Sequence, residues 1–97
     1  MSFDNRDYRQ VTANRKPLGF QQITALSSAT GLTVPAGACY AVVQAVTASV
    51  FWRDDGTAPT SAIGMTIASG GELDYAGDLT KIQFISATGG INVSYYD

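Results

Sequence analysis

The residues best equipped for chemistry stand together near the middle of the chain. Trp52, Arg53, Asp54, Asp55, Gly56 and Thr57 put an indole, a guanidinium and two adjacent carboxylates beside a glycine. Adjacent carboxylates raise the question of acid–base catalysis or a cation site, and each has a geometric requirement. Neighbours on a strand point to opposite faces, so there Asp54 and Asp55 would not converge on one substrate atom. In a turn they could converge, but a working acid–base pair also needs surroundings that push the two pKa values apart. A calcium loop needs oxygen ligands at alternating positions and a closing bidentate acid, whereas Gly56 is followed by Thr57, Ala58, Pro59 and Thr60. Asp-Gly is a strong turn signal, because glycine tolerates positive φ. The stretch therefore reads as a strand entering a tight turn. Arg53 is expected to pair locally or across a subunit boundary.

Other sources of chemistry are scarce. The chain has no histidine, which removes a Ser–His system and leaves a cysteine nucleophile without its usual base. The single cysteine, Cys39, cannot form an internal disulfide. Within "ACYAVVQAV" it is expected to be a small buried hydrophobe. Lys16 and Lys81 sit in no Ser–Lys motif. The glycine pairs 70–71 and 89–90 precede strands rather than helices, so they form no phosphate-binding loop. No catalytic residue, metal ligand or cofactor is assigned, and no enzyme is expected.

Composition points to an oligomer or a component of an assembly. Apolar residues make up 45% of the 97 and charged residues 14%, against roughly 25% charged in ordinary soluble domains. So few charges suggest an outer surface partly covered by other chains. A net charge of −2 argues against nucleic acid as the main partner. No window reaches 18 apolar residues, so no transmembrane helix and no membrane partner is expected. "MSFDNRDYRQ" lacks the order of a secretory signal, so synthesis and folding in a cytosol are expected. Charge also divides the chain. Residues 1–16 hold Arg6, Arg9, Arg15 and Lys16 against Asp4 and Asp7, while residues 17–97 hold Arg53 and Lys81 against six acids. The first segment has no sustained period and reads as an extended N-terminal arm that orders on a partner, followed by a domain over 17–97. Phe3, Tyr8 and the arginines are residue types that anchor interfaces.

The body must hold these residues on strands. "INVSYY" points Ile91, Val93 and Tyr95 one way and Asn92 and Ser94 the other; "TKIQFIS" points Ile82 and Phe84 inward. "AIGMTIA" places Ile63, Met65 and Ile67 on one face, and "SVFWR" sets Val50 and Trp52 opposite Phe51. "ACYAVVQAV" suits a strand covered on both sides, and "LGFQQITAL" a more polar strand near an edge. Shorter strands are expected around Leu32–Val34 and Leu73–Tyr75. Turn signals at "SSATG", "PAG", "DDGTAP", "SGGE", "YAGD" and "ATGG" recur at roughly 8–12-residue spacing, the pattern of an all-β sandwich or barrel. Tyr95 is expected in the core and Tyr96 half-exposed. Periodicity alone leaves a jelly roll and an immunoglobulin-like order equally open.

Residues 32–96 resemble a recurring small phage structural protein. The resemblance lies in "LTVPAGACYAVVQA", "VFWRDDGTAPTSAIGMTIASGGELDY", "GDLTKIQFIS" and the closing "INVSYY". The aromatic–Arg–Asp–Asp–Gly–Thr–x–Pro–Thr turn is its most specific part. It implies a virion capsid decoration (cement) protein with a jelly-roll β-sandwich, made in the bacterial host cytoplasm. Such a protein resembles dimers or trimers that bind the outside of the head and hold major capsid protein subunits together. The contact residues expected on this basis are Phe3, Arg6, Tyr8, Arg9 and Arg15 on the arm, and Arg53, Asp54, Asp55 and Tyr96 on the domain. The alternative is a tail- or fibre-associated module that binds a receptor or carbohydrate through Trp52, Tyr40 or Tyr96.

Overall fold

Eight strands form in the computed structural model, which describes residues 15–97. They are β1 (Pro17–Ile23), β2 (Thr30–Gly31), β3 (Tyr40–Val46), β4 (Val50–Arg53), β5 (Met65–Ile67), β6 (Glu72–Tyr75), β7 (Gln83–Ile85) and β8 (Gly90–Tyr96). All pairings are antiparallel. One sheet has the order β1-β8-β3-β6 and the other β2-β7-β4-β5.

That order has a simple origin. The pairs β4·β5, β3·β6, β2·β7 and β1·β8 make the chain one long hairpin with its tip between β4 and β5. Rolling the hairpin brings β8 beside β3 and β7 beside β4. The result is a jelly roll, two packed sheets with no helix among the described residues, so the alternative left open by periodicity is resolved.

The inner faces carry the core. Val43, Ile91, Val93 and Tyr95 of the first sheet meet Val50, Ile82 and Phe84 from the second layer, and Leu26 closes one side; all are fully buried. The alternation expected for β7 and β8 holds residue by residue. β1 lies at a sheet edge, as its polar composition implies, and Leu73–Tyr75 falls within β6. Three expectations are corrected. The strand expected at Leu32–Val34 is a two-residue strand at Thr30–Gly31, and Leu32 and Val34 pack on the core from a connecting segment. Cys39 is exposed, because it stands just before β3, beyond the strand residues that the core covers. Of "AIGMTIA", only Ile67 is buried; Ile63 and Met65 are 58% and 61% exposed.

The loop ends are tied by specific contacts. Buried Ser86 donates its hydroxyl to the Ser49 carbonyl (2.8 Å) and accepts the Gly89 N–H (3.0 Å). Gly90 starts β8 where a Cβ would lie 2.5 Å from the Ile23 carbonyl oxygen, so no larger residue fits without moving β1. Thr47 carries φ +77 between β3 and β4, and the Ala48 N–H bonds back to the Val46 carbonyl at 2.9 Å. This is a γ-turn with positive φ on a β-branched residue, a strained conformation. Thr47→Gly is expected to raise stability by about 1 kcal/mol, read as a higher urea midpoint at unchanged m; a lower midpoint would show that the hydroxyl or methyl of Thr47 matters more than the strain.

Candidate functional site

The chemistry-bearing stretch forms the tip of the long hairpin. Arg53 is the last residue of β4 and lies on the outward side, opposite Gln83. Its Nε donates to Asp55 Oδ1 (3.1 Å) and its Nη2 to Asp55 Oδ2 (2.5 Å), a two-pronged pair closed over one residue. Asp55 Oδ1 also accepts the Thr57 N–H at 3.3 Å, and Gly56 turns with φ +87. The Arg53 hydrogen bonds hold the Asp55 carboxyl below its usual range. Both side chains remain open to solvent, at 28% and 54% exposure, so the pair shapes the turn and adds little stability. Asp54 takes a different job. Its Oδ2 accepts the Tyr75 hydroxyl at 2.7 Å, which latches the hairpin tip to β6 of the other sheet. The two carboxylates therefore diverge, and no acid–base pair forms.

The same tip carries the apolar side chains that face water. β5 is a three-residue edge strand with no strand beyond it among the described residues. Met65 pairs with Trp52 and has inward parity, yet it stands exposed on this edge strand, and Ile63 precedes the strand in the connecting loop. Met65, Gly64, Arg53, Asp54 and Asp55 surround a shallow hollow of about 230 Å³. Aliphatic side chains thus stand in water beside an exposed ion pair.

A second exposed area lies on the first sheet. Phe20 of β1 is 67% exposed. Beside it a hollow of about 310 Å³ is lined by Gly19, Gln21, Thr33, Pro35 and Tyr95. On the outer face Gln22 Nε2 donates to Asn92 Oδ1 (3.0 Å), and Asn92 Nδ2 donates to Gln44 Oε1 (3.3 Å). This amide ladder crosses three strands without a charge. Further along, Tyr96 packs on Tyr40 with ring centroids 5.9 Å apart, and the Arg15 guanidinium lies 4.6 Å over the Tyr40 ring. Burial, followed by the nearby Asp74 carboxylate, raises the Tyr40 pKa.

The expected contact residues are thus dispersed. Arg53, Asp54 and Asp55 stand at the hairpin tip, whereas Arg15 and Tyr96 stand together on the first sheet. Arg15 Nη1 also donates to the Asp97 carbonyl (2.8 Å), and the Lys16 N–H donates to Asp97 Oδ1 (2.7 Å). Phe3, Arg6, Tyr8 and Arg9 lie outside the described residues. Of the aromatics suggested for sugar binding, Tyr40 is buried, half-buried Tyr96 packs on it, and half-buried Trp52 stands apart, edge-on to Tyr75 at 5.9 Å. Among the described residues no three His, Cys, Asp or Glu side chains come together to hold a metal ion. Among exposed residues, sequence reasoning did not single out Phe20, and it placed Ile63 and Met65 on one apolar strand face with Ile67. The signal for Phe20 was present, as the one large apolar side chain in the polar run "GFQQ". Searches against protein-family models, curated proteins and solved structures find no match.

Proposed function

We propose that this chain is a phage virion structural protein of the capsid decoration type. It binds the outside of the head and bridges major capsid protein subunits. The observation that carries the reading is the hairpin tip, where Ile63 and Met65 stand bare beside the Arg53–Asp55 pair. Such a surface suits docking on another protein. The jelly-roll order agrees with the resemblance of residues 32–96, and the uncharged outer face of the first sheet suits a crowded assembly. Tail- or fibre-associated receptor binding is less well supported, because it asks for an open aromatic platform.

The test is binding to assembled capsids. The protein is expected to copurify with heads at a copy number comparable to that of the major capsid protein, and virions lacking it are expected to lose resistance to heat and osmotic shock. Ile63→Asp with Met65→Asp, both at exposed positions, is expected to leave the fold intact and weaken capsid binding at least tenfold, since roughly 1.4 kcal/mol suffices for that factor. Copurification in only a few copies per particle would place the protein on a tail or fibre. Unchanged capsid binding by the double variant would remove the hairpin tip from the interface.

A further inference from the structure

Open strand edges expose unpaired N–H and C=O groups, and proteins blunt them by shortness, charge or irregularity. Among the described residues the two sheets have four such edges: β1 and β6 in one, β2 and β5 in the other. β2 has two residues and β5 has three. β6 carries Glu72 and Asp74, both exposed, so two copies meeting there would crowd four carboxylates. β1 lacks these protections. It runs seven residues, Pro17–Ile23, with no charged side chain. Its one irregularity lies between Pro17 and Gly19, and from Gly19 to Ile23 its pairing with β8 is regular. Among the described residues its other side makes no backbone hydrogen bond.

We propose that a second copy of this chain occupies the β1 edge. The two β1 strands pair antiparallel about a twofold axis, and the two four-stranded sheets become one sheet of eight. A twofold pairing sets each strand against its own sequence, so an edge with charges of one sign repels itself, and among the described residues β1 is the one edge both long and uncharged. Phe20 and Gln22 lie on the outer face, where their strand partners are Ser94 and Asn92. In the pair, the exposed Phe20 of each copy gains cover from the outer-face side chains of the other. The amide ladder Gln44–Asn92–Gln22 ends at this edge, and the second copy carries the same row onward. The inference rests on β1 alone and is independent of any role at a capsid.

The test is the solution mass of the full chain by sedimentation velocity. The expected mass at micromolar concentration is twice the 10.2 kDa of one chain. Phe20→Lys and Gln22→Lys each add a charge at an exposed edge position and are expected to sediment as single chains with unchanged far-UV circular dichroism. Glu72→Lys, on the opposite edge, is expected to remain paired. Backbone amide exchange over Gly19–Ile23 is expected to be slow in the wild type and faster in both β1 variants. A wild-type protein of single-chain mass, or a pair that survives both lysines, overturns the proposal. So does a pair lost without any change in β1 exchange. A single-chain wild type that still coats capsids overturns this inference and leaves the capsid reading standing.

Discussion

Phe84→Ala is expected to bring the domain to the margin of folding. Phe84 is fully buried on β7, between Trp52 of β4 and Thr30 of β2. Truncating a buried phenylalanine removes its transfer energy and leaves a cavity, together about 3–5 kcal/mol. A domain of this size holds only about 5–15 kcal/mol in all, and each kcal/mol moves its Tm by about 4–8 °C. A fall in Tm of more than about 12 °C follows from those two figures. Sheet order magnifies the effect, because β7 is the strand joining β2 to β4. Calorimetry of Phe84→Ala beside Thr66→Ala, at an exposed site on β5, is the check. A Phe84→Ala protein melting within a few degrees of wild type would mean that the neighbouring side chains collapse into the space.

The second large effect is alkaline unfolding. Burial, and then the hydrogen bond to Asp54, pushes the Tyr75 pKa up to about 12. Burial pushes Tyr95, whose hydroxyl donates to Gln21 Oε1 at 2.7 Å, up to about 12. The ordinary value is 10.0, so between about pH 10 and about pH 12 the unfolded chain has lost these protons while the folded chain keeps them. The folded state then binds more protons, and stability falls as pH rises through that window. The loss is on the order of 2 kcal/mol per tyrosine by the top of the window. Below about pH 10 both states are protonated at these groups, and neither contributes any slope. Urea midpoints measured across the window are expected to drop steeply in the wild type. Each of Tyr75→Phe and Tyr95→Phe is expected to remove about one proton from the slope. Tyr75→Phe should also cost about 1 kcal/mol at neutral pH, from the lost bond to Asp54. A slope unchanged by both substitutions would assign the alkaline loss to other groups.

These features differ in how far they can be read from the sequence. β7 and β8 were legible because both are sandwiched strands, and burial on one face imposes a strict period of two. The same period gave Met65 an inward direction that is geometrically correct. It failed to give burial, because burial also depends on place in the sheet, and Met65 stands exposed on an edge strand. Cys39 misled for a related reason: its apolar neighbours belong to β3, while the cysteine stands just before the strand and outside the core. The turn at Asp55–Gly56 was legible because its chemistry is local. Its neighbour Asp54 was not, since its partner Tyr75 lies 21 residues away and in the other sheet. The amide ladder joins residues 48 and 70 positions apart, and no local pattern marks it.

The long hairpin also bears on how such a chain finds its fold. β1 and β8 stand at opposite ends of the described chain, a separation that would make their direct encounter entropically costly and slow. Their pairing need not be direct. β4 and β5 are neighbours in sequence, and once they meet at the 54–64 loop, β3 and β6 are already close, then β2 and β7, then β1 and β8. Each step closes only a short additional loop, so the chain can zip from the tip outward. The turn that first suggested an active site then serves as the place from which folding propagates.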